Sequence, residues 1–421
     1  MSIKIGYIGL THLGMNYLTS SLNKNYKVVA YDEDKKKIEN LKNDIIEYNE
    51  PKLRETIIKK KNRIKFTNNP IDLKECKIIF FSQDVETDIK NISNIKKIKT
   101  NINNALKFLK NDSVFVVLSQ VSLGFTRKIK FNKRNLYYQV ETLVFGNAVN
   151  RANHPERIIL GTGNKTNEIN SHYNTYLKKF NCPIITMNYE SAELTKKAIN
   201  IFLCASITAT NQFTELCEKT NADWEQIKNA LIMDKRIGKY SYINPALGIT
   251  GGNLERDIKS IEELNKKFNI NNKFIQSINL FSKLKKEWVI NIIKKMNLDK
   301  QKIKYGILGL SYKKNTDSLK NSTSIKIIKK ISKFNKVFGY DPKARSFKIS
   351  NFERLLNIKD VLVKSDILII MTPWDEFKRI ESKVLNKFMK KKIIIDPYNV
   401  IQDKKKFKNI RFFSLGKNNF I

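Results

Sequence analysis

The chain has no run of about 18 uninterrupted apolar residues, so a membrane-spanning helix is not expected. Its first residues, MSIKIGYIGL, pass straight into an apolar strand and show no charged segment followed by a signal helix. The expectation is a cytoplasmic protein with no membrane partner. Cysteine is scarce: Cys76, Cys182, Cys204 and Cys217 form no CxxC pair and sit in apolar strand-like or helix-like contexts, as buried free thiols do in a reducing compartment. The histidines His12, His154 and His172 lie far apart and share no ligand spacing with the cysteines, so no metal is expected. Acidic residues are also few, 40 against 79 Lys and Arg, for a formal charge of +39. Such a charge raises nucleic acid as a partner. The lysines, however, are spread along the whole chain, and no segment joins a basic run to interleaved aromatics. Nucleic-acid binding rests on net charge alone and is not expected, whereas phosphorylated small molecules should be drawn in.

A chain of 421 residues, 41% of them hydrophobic, can bury two or three cores. Its first part alternates strands and helices: IKIGYIGL, a helix to Leu22, YKVVAYD, a helix through Leu41, then strands at CKIIFFS, SVFVVLS and RIILGTG. That is a βαβ series implying a parallel sheet, with a boundary near residue 188. From Glu190 to Glu218 apolar residues recur at helical spacing without Pro or Gly, which predicts a helix of roughly 40 Å. A helix near ADWEQIKNALIM and a glycine-containing loop, INPALGITGGN, follow. At KIKYGILGLSYKK the alternation resumes and continues through KVFGYDP, SDILIIMTPW and KIIIDPYNV. Both α/β parts open with a strand ending in Gly-Leu (Gly9-Leu10, Gly309-Leu310) and carry a later strand ending in Tyr-Asp (Tyr31-Asp32, Tyr340-Asp341), as two related folds would.

Between the first strand and helix stands Gly9-Leu10-Thr11-His12-Leu13-Gly14, the outer glycines of GxGxxG with Thr11 in place of the middle one. That glycine normally admits a pyrophosphate to the backbone, so a β-carbon there costs contact. Asp32 ends the second strand, where an acid can bond a ribose hydroxyl. Alone, the turn fits a ligand-free structural turn as well as bound NAD. Gly9, Thr11, Gly14, Asp32 and Lys37 are the candidate cofactor-binding residues.

Further motifs resemble the UDP-glucose/GDP-mannose dehydrogenase family in the family's own order. Glu50-Pro51-Lys52-Leu53 is similar to EPGL, Glu193-Leu194-x-Lys196 with Asn200 to ELxK…N, and Asp234-Lys235-Arg236-Ile237-Gly238 to DxRIG. Gly309-Leu310-Ser311-Tyr312-Lys313 with Thr316-Asp317 resembles GxxFK…TD, and Tyr340-Asp341-Pro342, Thr372 to Phe377 and Asp396 to Asn399 resemble YDP, TxWxEF and DxRN. The resemblance implies an NAD-dependent oxidation of a nucleotide sugar. In that family a cysteine captures the aldehyde as a thiohemiacetal and a second NAD oxidises it, because the tetrahedral adduct carries the hydrogen to be removed. It further implies an oxyanion-stabilising Lys196 with Asn200 as its partner amide, Asp257 managing the hydrolytic water, and Glu141 as the first glutamate of PEFLxEG. Arg236 would reach a neighbouring subunit's substrate, which implies at least a homodimer. Tyr242, Gly248, Gly251, Gly252 and Lys313 would hold the nucleotide sugar, a UDP-sugar first among the candidates.

The departures cluster around the reacting carbon. GGxCFPKD becomes GGNLERD, so Asn253 stands at the cysteine position, and a carboxamide is no nucleophile at neutral pH. Phe145 replaces the second glutamate of PEFLxEG, Gln120 the threonine of STVP, and Tyr398 the arginine of DxRN. The expected architecture is α/β: two Rossmann-like doubly wound parallel-sheet domains joined by a long central helix. They are residues 1–188, binding NAD; 189–290, a central helical and dimerisation segment with the substrate loop; and 291–421, binding the nucleotide of the sugar. The expected function is an NAD-dependent nucleotide-sugar oxidoreductase working without a cysteine thiohemiacetal. The alternative is a catalytically silent nucleotide-sugar-binding homologue.

Overall fold

The computed structural model describes residues 3–85, 94–163, 168–299, 302–344, 346–402, 404–407 and 409–418. The chain divides into two compact units, Met1–Ile199 and Asn200–Ile421.

The first unit holds strands β1 (Lys4–Ile8), β2 (Lys27–Tyr31), β3 (Ile64–Thr67), β4 (Ile78–Phe81), β5 (Val114–Val117), β6 (Leu136–Gln139), β7 (Ile158–Thr162) and β8 (Ile184–Asn188). They form one sheet in the order β3-β2-β1-β4-β5-β6-β7-β8. Its helices are α1 (His12–Asn23), α2 (Lys35–Lys42), α3 (Leu53–Lys59), α4 (Ile95–Leu106), α5 (Ala148–Asn153) and α6 (Ser171–Lys178). Central strands such as β4, IIFF, and β5, VFVV, are buried along their whole length, because a sheet covered on both faces needs continuous rather than alternating apolar residues. The expected parallel sheet has one departure: β7 runs antiparallel to β6. Sequence reading passed over β3, β6 and β8. In β3, IKFT, a lysine interrupts a run of four residues, and β8, IITMN, lies half-buried at the sheet edge.

Helix α7 (Tyr189–Lys219) begins in the first unit and continues into the second; its 31 residues span about 46 Å. In the second unit follow α8 (Trp224–Met233), α9 (Asn253–Lys267), α10 (Lys273–Lys286) and α11 (Trp288–Lys295). The last three went unread in the sequence, because lysines recur among their apolar residues, two of them, Lys285 and Lys286, on the buried side of α10. The second sheet, β11-β10-β9-β12-β13-β14, consists of β9 (Tyr305–Leu308), β10 (Val337–Tyr340), β11 (Phe352–Arg354), β12 (Ile367–Ile370), β13 (Ile393–Ile395) and β14 (Arg411–Phe413). All its pairs are parallel.

Both sheets place their first strand beside their second and fourth, so a crevice opens where the strand order reverses. The repeated Gly-Leu and Tyr-Asp signals form the same joint in each. Gly9 N–H donates to Tyr31 O at 3.0 Å and Leu10 N–H to Asp32 Oδ2 at 2.8 Å. Likewise Gly309 N–H donates to Tyr340 O at 2.8 Å and Leu310 N–H to Asp341 Oδ2 at 2.7 Å. Both glycines have left-handed backbone, with φ of +89° and +90°.

Asp341 is fully buried and also accepts from Ser311 N–H and Oγ–H, Lys343 N–H, Ala344 N–H and Trp374 Nε1–H. Burial alone would raise this carboxyl. The N–H groups of Ser311, Leu310, Lys343 and Ala344 outweigh it and hold the carboxyl below its ordinary 3.8. A depressed native pKa contributes stability above the unfolded value that is lost as pH falls through the native one. Asp341→Asn should therefore cost roughly 2 to 4 kcal/mol at neutral pH. Urea titrations of both forms should show that gap narrowing only below about pH 3.8.

Candidate functional site

The turn after β1 is built for close approach. A β-carbon on Gly14 would stand 2.2 Å from Gly9 O, so glycine is what lets α1 start tight against the strand end. Thr11 stands at the N-cap of α1 with ordinary extended backbone, but its hydroxyl donates to Ser82 O at 2.8 Å and accepts from no helix amide. The first amides of α1 therefore carry no side-chain cap and are disposed to take an anion. Asp32 accepts from Leu10 N–H and Lys37 Nζ on Oδ2, at 2.8 and 3.0 Å, and from Asp34 N–H on Oδ1 at 3.1 Å. Oδ1 keeps acceptor capacity for a further donor, as a ribose hydroxyl would be. The cleft beside the turn is lined by Gly9, Tyr31, Asp32, Glu33, Gln83 and Asn101. Gln83 and Asn101, joined by a 2.8 Å hydrogen bond, were not read from the sequence; Gln83 stands two residues after β4, and its place just past a strand end was the available signal. The donor set and the shape of the turn fit a dinucleotide.

In the same unit, Lys196 on α7 pairs with Glu141 at 2.9 Å, both largely buried. Glu141 Oε2 also accepts from Leu143 N–H at 2.9 Å, which fixes the carboxylate toward the lysine. One turn earlier, buried Glu193 accepts the backbone N–H groups of Gly124 and Thr126, and Glu190 forms a bidentate pair with Arg127. Burial pushes the Glu193 carboxyl up, against the pull of those donors. The start of α7 thus anchors the segment that follows β5.

In the second unit, Asn200 Nδ2–H donates to Asp257 Oδ2 at 2.5 Å, and Asp257 is fully buried, with Arg256 3.9 Å from its other oxygen. Asn253 opens α9 as an exposed residue one turn before Asp257 on the same helical face. The loop before it is tightly seated. Gly248, at φ +75°, passes so near α10 that a β-carbon would stand 2.4 Å from Ser282 O, while Ile249 N–H donates to Ser282 Oγ at 2.8 Å. Gly251 lies against the Tyr312 ring and Gly252 against the Lys320 chain. Lys313 is half-buried, its ammonium 5.9 Å from the Tyr312 ring centre. Arg236 is 90% exposed and held by Asp234, and Tyr242 is exposed as well. The structure thus brings together Lys196 with Glu141, Asn200 with Asp257, and Asp32 with Lys37, and leaves Arg236 and Tyr242 at the surface.

Burial, with Asp257 and Glu255 nearby, pushes the Cys204 thiol up to about 12, and burial does the same to Cys76. Cys182 and Cys217 are raised too. Cys204 packs among Ile207, Ile249, Ile258 and Ile275, in an apolar setting that disfavours a thiolate. Among the described residues no group of three or more His, Cys, Asp and Glu is placed to hold a metal ion, and no helix is long and apolar enough to cross a membrane.

Three models of one family match the chain in order: the NAD binding domain of the UDP-glucose/GDP-mannose dehydrogenase family over residues 3–179, its central domain over 190–282 and its UDP binding domain over 306–403. The chain is 28% identical over 441 residues to a UDP-glucose 6-dehydrogenase of Rickettsia prowazekii, covering 98% of each. It is 24% identical over 412 residues to the putative UDP-glucose 6-dehydrogenase YtcA of Bacillus subtilis, covering 95% of this chain and 96% of that protein. In fold it is similar to a UDP-glucose dehydrogenase from Pyrobaculum islandicum, with a TM-score of 0.85, 18% identity and coverage of 99% and 98%. A UDP-D-ManNAc dehydrogenase from Pyrococcus horikoshii superposes with a TM-score of 0.84 at 19% identity, over 99% of this chain and all of that one.

With their thiols raised by burial, Cys76 and Cys204 should resist iodoacetamide at neutral pH in the native protein and alkylate in urea. Intact-protein mass spectrometry counts the adducts, and rapid native labelling of Cys204 would contradict the packing described for it.

Proposed function

Because the chain belongs to the UDP-glucose/GDP-mannose dehydrogenase family, we propose that it oxidises the sugar of a UDP-sugar with NAD by a route in which no cysteine thiohemiacetal forms. The observation that carries this reading is Asn253, one turn before an Asp257 bonded to Asn200, together with four cysteines whose thiols are all raised. NAD, when bound, supplies the hydride acceptor; the α1 amides and Asp32 with Lys37 would hold it. Lys196 places a positive charge where an alkoxide develops as the sugar alcohol loses its proton, and Glu141, paired to it, is the group toward which that proton moves. Asp257, oriented by Asn200, would position a water. That water adds to the aldehyde to give a hydrate, whose own C–H then serves a second oxidation, or the reaction stops at the aldehyde. Gly248, Gly251, Gly252, Tyr242 and Lys313 are proposed for the nucleotide sugar.

The division into 1–188, 189–290 and 291–421 belongs to the same reading, as does a cytoplasmic site of action. A homodimer fits the apolar side chains that the second unit leaves exposed, with Phe202, Met233 and Tyr240 each at least 76% exposed, and it would give Arg236 a partner's site to reach. The second reading, a silent nucleotide-sugar-binding homologue, is favoured by Asn253 and by Thr11 at the crowded position of the turn.

Nucleotide sugars screened with NAD, following NADH and product mass together, separate the two. Turnover is the expected outcome, and binding without NADH would establish the silent reading. With an active sugar, Lys196→Met should lower kcat by about 100-fold or more while sugar binding, measured by calorimetry, stays within a few-fold. Incubation of the native protein with NAD and sugar should leave no covalent adduct by intact mass. Asn253→Cys should add one thiol that alkylates faster than the native four, because its exposed helix-start position favours a thiolate. An adduct on the native protein would refute the cysteine-free route.

A further inference from the structure

His12 and Glu50 form a buried joint to which the reaction outlined above assigns no part. His12 is the first residue of α1, so its backbone N–H is one of the amides that the helix start leaves for an anion. Its side chain goes elsewhere: Nε2–H donates to Glu50 Oε1 at 2.8 Å, and the ring stacks on Phe145 at 4.1 Å between centroids and 20° between planes. The Tyr48 ring meets its edge at 6.0 Å, and Tyr48 O–H donates to Leu10 O at 3.1 Å. Glu50, with its side chain only 2% exposed, accepts two more donors, Gly146 N–H at 2.8 Å and Ala148 N–H at 3.2 Å. Those amides belong to the segment whose other end carries Glu141, oriented by Leu143 N–H and paired with Lys196. Polar contacts therefore run from the nucleotide turn to Gly146 and Ala148, and the short stretch of chain between Leu143 and Gly146 joins them to the Glu141–Lys196 pair within a single compact unit.

We propose that His12 and Glu50 are positioning residues that transmit occupancy of the nucleotide turn to the segment 141–148 and so set Glu141 against Lys196. The inference rests on NAD binding at that turn. Two features argue against mere packing. A buried carboxylate is costly unless fully bonded, and the Phe145 ring already supplies apolar contact to His12, so a neutral pair of similar volume would join these segments at less cost. The three donors on Glu50 also come from both segments, so neither can shift without breaking a charge-assisted bond of the other. Phe145 gains a role here as well: in place of a carboxylate it gives the imidazole a flat surface that fixes its plane.

Hydrogen exchange by mass spectrometry on the full chain, with and without saturating NAD, tests the coupling. In the native protein NAD should slow exchange at the amides of Leu143, Gly146 and Ala148 by about tenfold, the scale of an ordinary coupling between sites. His12→Phe keeps the stack and removes the donor; it should bind NAD within about threefold of native, because the α1 amides and Asp32 are unchanged, yet lose that protection. His12→Gln, which restores a donor, should recover it. Glu50→Gln serves as an independent variant should His12→Phe fold poorly, and it should also lose the protection. Protection that is absent in the native protein, or equal in native and His12→Phe, overturns the proposal while NAD binding stands. Failure of the native protein to bind NAD by calorimetry would instead remove the cofactor reading, and this proposal with it.

Discussion

Each half of the molecule depends on one contact: an aspartate at the end of the second strand accepting the backbone N–H of the leucine that follows a left-handed glycine at the end of the first. The glycine turns the chain sharply enough to present that N–H, and the carboxylate keeps the turn from relaxing. The parallel pairing of the two strands brings the partners level, with Ile8 opposite Tyr31 and Leu308 opposite Tyr340. Without the contact, the crevice at the reversal of strand order would lose its wall in either unit.

The two copies of the joint have been put to different use. Asp341 is saturated by the donors around it, including the Trp374 indole, so it offers little to a ligand and serves the turn itself. Asp32 has fewer partners, one of them the Lys37 ammonium on α2, and it lines the cleft beside its turn. The same arrangement thus gives a saturated carboxylate in one unit and one with acceptor capacity to spare in the other. The difference lies in how many donors the neighbouring loop supplies, not in the aspartate.

Helix α7 supplies the second constraint. Glu190, Glu193 and Lys196 succeed one another at three-residue spacing and each engages a different part of the first unit: Arg127, the Gly124 to Thr126 turn, and Glu141. One turn on, Asn200 engages Asp257 in the second unit. The period of the helix thereby delivers polar groups to a fixed sequence of partners, and its buried charges, Glu193 and Lys196, are tolerated because backbone amides satisfy the one and a carboxylate the other.

Much of this was legible in the residues alone. The alternation of strands and helices, the internal repeat of Gly-Leu and Tyr-Asp, the length of α7 and the family of the chain all rest on local signals or on motifs in order, and the structure or the family models bear them out. The candidate residues could be named because their types suit the chemistry, but their partners could not. That Lys196 meets Glu141 across 55 positions, that Glu50 gathers His12, Gly146 and Ala148, and that β7 reverses direction against β6 depend on contacts between residues far apart in the chain. Sequence determined which groups were available and how regular elements would space them. Only the tertiary structure decided which buried charges face one another, because burial, and with it the penalty for leaving a polar group unpaired, exists only once distant segments pack.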